Sequence, residues 1–329
     1  MANIHEVAKQ AGVSSATVSR VLNEAPTVTE KTRQKVEQAI KQLNYEPSML
    51  GRNLRNSESR LLLVLIPNFS NPYYTEIING IEDYSVEHGY NILLCETDSN
   101  PKRENTFFNM VKNKLADGII SMDPTVNMSK LQDLALDHAI VMCSEYDEYE
   151  RIPYVAIDNE AAAYKVMKHL IRLGHDQIAL INSDEKFLYA RQRRKGYERA
   201  LEEFGLPLRN ELIYNTQNLD FQEGAQAIRK FSQLERNPTA AFAVSDTLAI
   251  GALKEVNVRG LKVPEDFALV GFDNISFSNM TNPTLTTVAQ PMYQMGTTAA
   301  SMLIKQLQGQ EVDSIMMDHE LIIRESTLN

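Results

Sequence analysis

Residues 4–23 read IHEVAKQAGVSSATVSRVLN, and their spacing predicts two short helices joined by a tight turn. Apolar residues between Ile4 and Ala11 recur at intervals of three and four, which is the period of one helix face. Gly12 then supplies a turn conformation that side chains disfavour. Ser14 is a suitable N-cap for a second helix, which has an apolar face of its own.

The exposed face of this second helix is predicted to be small and polar, with a single arginine. Its residues are Ser15, Ala16, Thr17, Ser19 and Arg20. Such a face suits a helix that enters the major groove and contacts base edges and phosphates. An ordinary helical hairpin has the same spacing, so the spacing alone leaves both interpretations open.

A third helix is predicted to start near Thr29 and to close a three-helix core. With this helix in place, the chain resembles the lactose/galactose/purine-repressor family of bacterial transcription regulators. The resemblance is carried by residues 6–14, by residues 17–23 and by a hinge from Tyr45 to Leu54, and it extends over the whole chain.

The resemblance implies that double-stranded operator DNA is a partner. Base reading would fall to Ser15, Ala16 and Arg20, and Leu54 would wedge into the minor groove. DNA-backbone contacts are expected from Asn3, Ser14, Thr17, Ser19, Asn23, Thr29, Thr32, Arg52 and Arg55. The alternative for the hinge is a flexible tether, because about eight residues are too few for a stable isolated helix.

Charge is distributed unevenly along the 329 residues, which have a net charge of −10. Residues 1–58 contain eight Lys and Arg against six Asp and Glu, whereas the remainder contains 25 against 37. DNA contact is therefore expected only at the N-terminal segment. Because that segment is only mildly basic, we expect a homodimer to supply the remaining affinity.

Other sequence features narrow the class of protein. No apolar run approaches the length of a membrane span, and the N-terminus does not resemble a signal sequence. Cys95 and Cys143 end apolar runs and are predicted to be buried thiols. The chain is thus predicted to be cytoplasmic and nucleoid-associated, without cofactor or metal. Nucleotide-binding, hydrolase and metal-helix motifs are absent, and an enzyme of sugar or nucleoside metabolism remains a distant alternative.

From Arg60 onward, strands alternate with amphipathic helices, which predicts an α/β core of doubly wound parallel sheets. By resemblance this core has the two-lobed, periplasmic-binding-protein-like fold. The predicted organisation is a helix-turn-helix headpiece, a hinge and an effector-binding and dimerisation core. These comprise residues 1–46, 47–58 and 59–329, with lobe 1 at about 59–158 and 288–316, and lobe 2 at about 159–287 and 317–329.

Polar residues follow the predicted strands, where parallel sheets bind ligands. They are Asn68, Asp98, Asp123, Glu145, Ser183, Asp246 and Asp273. Carboxylates and amides suit a neutral, polyhydroxylated effector, and Phe69, Tyr73 and Tyr74 could stack on a ring. Each polar residue could instead be a helix N-cap.

The resemblance implies that Tyr73 stacks on the effector while Arg193 and Asp273 hydrogen-bond it. Leu219 aligns with the stacking phenylalanine of purine-binding members, which argues against a purine held in that way. The predicted effector-binding set is Phe69, Tyr73, Tyr74, Asp123, Arg193, Leu219, Asp246 and Asp273.

Several stretches resemble the cytidine-responsive branch of the family, so a nucleoside is the first-ranked effector. They are residues 51–53, 58–60, 76–82, 273–275, 285–291, 320–324 and 326–327. A sugar or sugar phosphate ranks second. A catabolite-control regulator driven by a phosphorylated carrier protein ranks third, because Ser301 aligns with an arginine of that subfamily. The residues do not indicate whether the effector induces or co-represses.

Overall fold

The computed structural model describes residues 2–22, 25, 27–45, 58–98, 100–123, 128–146 and 152–328. The chain divides into two compact units, Met1–Ser59 and Arg60–Asn329. The predicted DNA contacts Asn23, Arg52, Leu54 and Arg55 lie outside the described residues.

The first unit contains the three predicted helices of the headpiece. They are α1 (Ile4–Ala11), α2 (Ser15–Leu22) and α3 (Glu30–Leu43). Gly12 has a φ of 67°, as expected for the turn residue. The Ser14 hydroxyl accepts from the backbone N–H of Thr17 at 3.1 Å, which confirms it as the N-cap of α2. Val7, Val18 and Val36, one from each helix, are fully buried and form the core of this unit.

The second unit contains two six-stranded sheets. Its strands are β1 (Leu61–Ile66), β2 (Asn91–Glu96), β3 (Gly118–Ser121), β4 (Ala139–Cys143), β5 (Tyr154–Ile157), β6 (Ile178–Asn182), β7 (Ile213–Asn215), β8 (Ala240–Ala243), β9 (Ala268–Asp273), β10 (Thr286–Ala289), β11 (Ile315–Met317) and β12 (Glu320–Ile322). The first sheet has the order β11-β5-β4-β3-β1-β2, and the second has the order β12-β10-β9-β8-β6-β7. Only the β10–β12 pair is antiparallel among the described strand pairs.

Helices connect the strands in each sheet, so each sheet with its helices forms a lobe. The helices are α4 (Tyr73–Glu87), α5 (Pro101–Lys112), α6 (Met128–Ala135), α7 (Asn159–Arg172), α8 (Leu188–Glu203), α9 (Phe221–Phe231), α10 (Asp246–Val258) and α11 (Met292–Leu307). This arrangement confirms the predicted fold class. Cys95 and Cys143 are buried free thiols, as predicted.

The chain passes between the lobes three times, after β5, after β10 and between β11 and β12. The second crossing lies at Gln290 and Pro291, beyond the predicted boundary before residue 288, because Val288 and Ala289 still pair with β9. Met317 pairs with β5 and so belongs to the first lobe, one residue beyond the predicted boundary. Both crossings therefore begin where a strand ends.

Candidate functional site

A cavity of about 480 Å³ lies between the two lobes, at the carboxyl ends of their parallel strands. Its walls include residues that follow β1, β4, β6 and β8, together with Asp273 at the end of β9. Both strand orders reverse beside a central strand, β1 in one sheet and β6 in the other. Ligands bind at such reversal points in open parallel sheets. We call this cavity the cleft.

A chain of hydrogen bonds joins the two lobes at the base of the cleft. The Tyr73 hydroxyl lies 2.7 Å from the Ser144 hydroxyl and donates to Gln290 Oε1 at 3.3 Å. Gln290 Nε2 in turn donates to Asp273 Oδ1 at 2.8 Å. Because Gln290 stands at the second crossing, it connects a side chain of the first lobe to one of the second.

Arg193 enters the cleft from α8 and has its partners in the second lobe. Its Nε donates to Asn159 Oδ1 at 2.9 Å, and Nη1 donates to the carbonyl of Val244. The same Nη1 lies 3.8 Å from Asp273 Oδ1, and the guanidinium carbon is 3.5 Å from the centre of the Phe272 ring. This cation is therefore extensively engaged by the protein itself.

Burial governs the acid–base state of Asp273. Loss of solvent raises its pKa to about 7, although Arg193 and the hydrogen bond from Gln290 both act to lower it. Additional hydrogen-bond donors would therefore stabilise the ionised form of the buried Asp273. Ligand hydroxyl groups would supply them.

Glu145 is a second buried carboxylate at the cleft. Its two oxygens accept from the backbone N–H groups of Leu188 and Tyr189, at 2.9 and 3.0 Å. A first-lobe carboxylate thus caps the start of α8 in the second lobe, where Phe187 offers no side-chain cap. Desolvation raises the Glu145 pKa to about 7 against these hydrogen bonds.

The structure brings most of the predicted effector-binding residues together. Tyr73, Tyr74, Arg193, Leu219 and Asp273 all line the cleft. Tyr73 and Tyr74 pack edge to face, with ring centres 5.3 Å apart. The polar strand ends Asn68, Asp98, Glu145 and Ser183 line it as well. The walls therefore combine aromatic rings with hydrogen-bond acceptors.

Three predicted effector residues are not brought into the cleft. Phe69 is 55% exposed, so its ring is in solvent and not over the cavity. Asp123 is buried within the first lobe, where it accepts from the Thr97 hydroxyl at 3.1 Å. Asp246 is fully buried in the second lobe and accepts from Ile275 N–H and the Thr287 hydroxyl. Placing these three at the cleft was wrong. Phe69 is exposed to solvent, and the carboxylates of Asp123 and Asp246 accept hydrogen bonds within their own lobes.

Other cleft residues did not enter the predicted set. Ser144, Tyr189 and Gln290 line the cavity beside Tyr73 and Asp273. Gln290 stands in the stretch 285–291 that carries the family resemblance, so a signal for it was present. Tyr189 follows a loop after β6 and has no comparable signal. Among the described residues, no group of three or more His, Cys, Asp or Glu could hold a metal ion.

The headpiece presents part of the predicted DNA-binding face. Ala16 and Arg20 are exposed on α2, and Ser15 is half-buried beside them. Ser19 was expected on the same face but is only 6% exposed, so it is buried in this unit. The structure therefore contradicts the predicted exposure of Ser19, on which its expected phosphate contact was based.

The other residues that were predicted to contact the DNA backbone, and that the structure describes, lie at the starts of helices. Asn3 accepts from the N–H groups of His5 and Glu6 and so caps α1. The hydroxyls of Ser14 and Thr17 lie 2.9 Å apart at the start of α2, as do those of Thr29 and Thr32 at the start of α3. Helix starts of this kind present N–H groups that suit phosphate oxygens.

Comparison with known proteins identifies the family. Residues 3–48 match "Bacterial regulatory proteins, lacI family", and residues 59–325 match "Periplasmic binding proteins and sugar binding domain of LacI family". The chain belongs to the LacI family. This repressor is 37% identical over 329 residues to the HTH-type transcriptional repressor CytR of Escherichia coli strain K12, covering 99% of this chain and 96% of that protein.

Two further relatives show how broad the likeness is. Catabolite control protein A of Priestia megaterium is 37% identical over 328 residues, covering 98% of each chain. The solved structure of the lac repressor dimer bound to operator and the anti-inducer ONPF has a TM-score of 0.90 at 26% identity. That match covers 100% of this chain and 99% of the other.

The repressor is accordingly a ligand-responsive, DNA-binding transcriptional regulator of the LacI family and not an enzyme, since its relatives are named as repressors and regulators. Within the described residues, no helix has the length and apolar character needed to cross a membrane.

Proposed function

We propose that the repressor responds to a nucleoside of the cytidine class, which binds in the cleft and releases operator DNA. The observation that carries this proposal is the Asp273 carboxylate, buried at the cleft beside Gln290 and Arg193. A carboxylate there accepts hydroxyl groups such as those of a ribose. The Tyr73 and Tyr74 rings offer surfaces for a flat base.

The cations at the cleft favour a neutral ligand over a phosphorylated one. Arg193 already donates to Asn159 and to the carbonyl of Val244. Lys186 Nζ lies 3.4 Å from Asp184 Oδ2. A phosphate would compete with these partners and would face the carboxylates of Asp273 and Glu145. A sugar phosphate therefore fits the cleft less well than a nucleoside.

Two relatives of equal identity have different names, the repressor CytR and catabolite control protein A, so sequence identity alone does not rank the effectors. The catabolite-control alternative needs a surface for a phosphorylated carrier protein. Ser301 occupies the position where that subfamily is expected to have an arginine, which weakens this alternative. The nucleoside proposal rests on the cleft and on the resemblance to the cytidine-responsive branch.

DNA binding is proposed to involve two headpieces of a homodimer on a pseudo-palindromic operator. The lac repressor is a dimer in its operator complex, and this chain matches it over its full length. In this proposal α2 lies in the major groove, with Ser15, Ala16 and Arg20 at the bases. Leu54 wedging the minor groove stays a prediction, together with phosphate contacts from Arg52 and Arg55.

The effector is tested by calorimetry with cytidine, uridine, adenosine, ribose and ribose 5-phosphate. We expect cytidine to bind, and Asp273→Ala to weaken it by about 2 kcal/mol, or about thirtyfold, since a buried charged hydrogen bond is lost. Asp176→Ala, which removes an exposed second-lobe carboxylate, is the matched control and should bind normally. Binding of ribose 5-phosphate but of no nucleoside would refute the proposed effector class.

A further inference from the structure

The end of β9 has an unusual backbone conformation. Asp273 and Asn274 have φ values of 108° and 57°, and neither is glycine. Two consecutive left-handed residues with side chains are unfavourable unless their surroundings impose the conformation. We call these two residues the corner. Its first member is Asp273, whose carboxylate accepts from Gln290 at the cleft, so the corner fixes where this acceptor lies.

The corner is held from behind by Asp246, which does not line the cleft. Asp246 Oδ2 accepts from the backbone N–H of Ile275 at 2.9 Å, directly after the corner. Its Oδ1 accepts from the Thr287 hydroxyl at 2.6 Å. The same Thr287 oxygen accepts from the backbone N–H of Asn274 at 3.3 Å. Asp246 and Thr287 are both fully buried, so water does not compete for these bonds.

The chain also leaves room for Asp246. A Cβ atom at Gly271 would collide with Asp246 Oδ1 and would crowd Leu285. Gly271 therefore has a packing role in the stretch that leads to the corner. This close approach explains why a carboxylate from α10 can reach backbone groups beyond β9.

Arg324 holds the corner from the other side. Its Nη2 donates to Asn274 Oδ1 at 2.7 Å, and its Nη1 donates to the Leu285 carbonyl at 2.8 Å and to the Ser278 hydroxyl at 3.1 Å. Arg324 lies two residues beyond β12, which follows the third crossing between the lobes. The corner is therefore held by the segment that follows the third crossing.

We propose that Asp246, Thr287 and Arg324 are positioning residues for effector binding: they hold the corner that aims Asp273 into the cleft and do not touch the effector. This inference rests on the proposed function, in which Asp273 accepts effector hydroxyls. Asp246 was predicted to contact the effector directly. In this proposal it acts from behind the cleft wall, through the corner. Arg324 lies in residues 320–324, a stretch that carries the family resemblance. In this proposal its role is to hold the corner.

A matched pair of substitutions at Thr287 tests the proposal. Thr287→Val keeps the shape but removes the hydroxyl, so Asn274 N–H and Asp246 both lose a partner, whereas Thr287→Ser retains it. We expect Thr287→Val to weaken cytidine binding about tenfold in calorimetry. It should also speed amide exchange in the peptide spanning residues 268–280. Thr287→Ser should preserve affinity and exchange protection, even if its lost methyl group lowers Tm.

Tyr197→Phe controls for a general loss of stability. It removes a buried second-lobe hydroxyl, bonded to the Ile178 carbonyl, away from the corner. We expect a lower Tm with unchanged affinity and corner exchange. Should Thr287→Val not fold, Arg324→Gln repeats the test at a half-buried side chain and should also speed corner exchange.

The outcomes separate this inference from the proposed function. Unchanged corner exchange in both Thr287→Val and Arg324→Gln would overturn the positioning role, whatever ligand binds. Faster exchange with undiminished cytidine affinity would overturn it as well. If the parent protein binds no cytidine but the variants still show faster exchange, the effector assignment is refuted. The conclusion that these residues stabilise the corner then still stands.

Discussion

The Asp273 carboxylate links the electrostatics of the cleft to its proposed ligand. Its pKa lies near 7 because burial disfavours the charge more than Arg193 and Gln290 favour it. A hydroxylated ligand that donates to the ionised form would lower this pKa and release a proton on binding. By linkage, such a ligand binds more tightly when the carboxylate is already ionised.

We therefore expect cytidine affinity to be level above about pH 8 and to fall as the pH drops through about 7, by at most about tenfold per pH unit. Calorimetry between about pH 5.5 and about pH 8.5 measures this. Asp273→Asn should bind weakly with a flatter profile. Glu145 also has a pKa of about 7, so Glu145→Gln is the control and should retain the slope. A parent affinity that rises toward low pH would contradict the assignment.

Among the elements, α2 combines a buried face with an exposed face that is free to contact DNA. Val18 and Val21 pack into the headpiece core, whereas Ala16 and Arg20 are exposed. An arginine on such a helix can donate to the N7 and O6 acceptors of guanine. It can equally contact a phosphate, and the two roles differ in their dependence on DNA sequence.

We expect Arg20→Ala to cost roughly 1–3 kcal/mol on a duplex selected by the parent protein, and to relax specificity at one base pair. Lys35→Ala, which removes an exposed charge from α3, is the matched control and should leave specificity unchanged. Fluorescence anisotropy with the selected and a random duplex compares the losses. An equal loss for Arg20→Ala on both duplexes would make Arg20 a phosphate contact only.

Long elements were predictable from sequence because they repeat a period several times. α1 was expected between Ile4 and Ala11 and α3 from near Thr29, and both begin within one residue of these positions. The short strands β5, β7, β10, β11 and β12 were not expected, because three or four residues contain little of a repeating pattern. Their places depend on pairing with strands distant in sequence.

The cleft was predictable to the level of strand ends but not of individual side chains. A polar residue after a strand can face a ligand or turn back into its own lobe, as Asp273 and Asp246 respectively do. The packing of β9 and β10 decides between them, and a local pattern does not contain that information. Ser19 shows the same limit, because it lies at the border of a helical face.

At the scale of the whole molecule, three crossings join the two lobes that together line the cleft. Both lobes contribute to the cleft, and Glu145 and Gln290 already bond across it. A ligand held by both lobes would favour one lobe arrangement. It can shift that equilibrium only by its difference in affinity for the two arrangements.

We expect saturating cytidine to weaken operator binding by roughly tenfold to a hundredfold, the usual range of allosteric coupling. Because coupling is reciprocal, saturating operator should weaken cytidine binding by the same factor. Anisotropy with the selected duplex measures the first quantity, and calorimetry on the protein–DNA complex measures the second. Asp273→Ala should bind the duplex normally but fail to respond, since it leaves the headpiece untouched, and Asp176→Ala should respond like the parent. A parent that binds cytidine yet has the same operator affinity with and without it would show that the cleft does not control the headpiece.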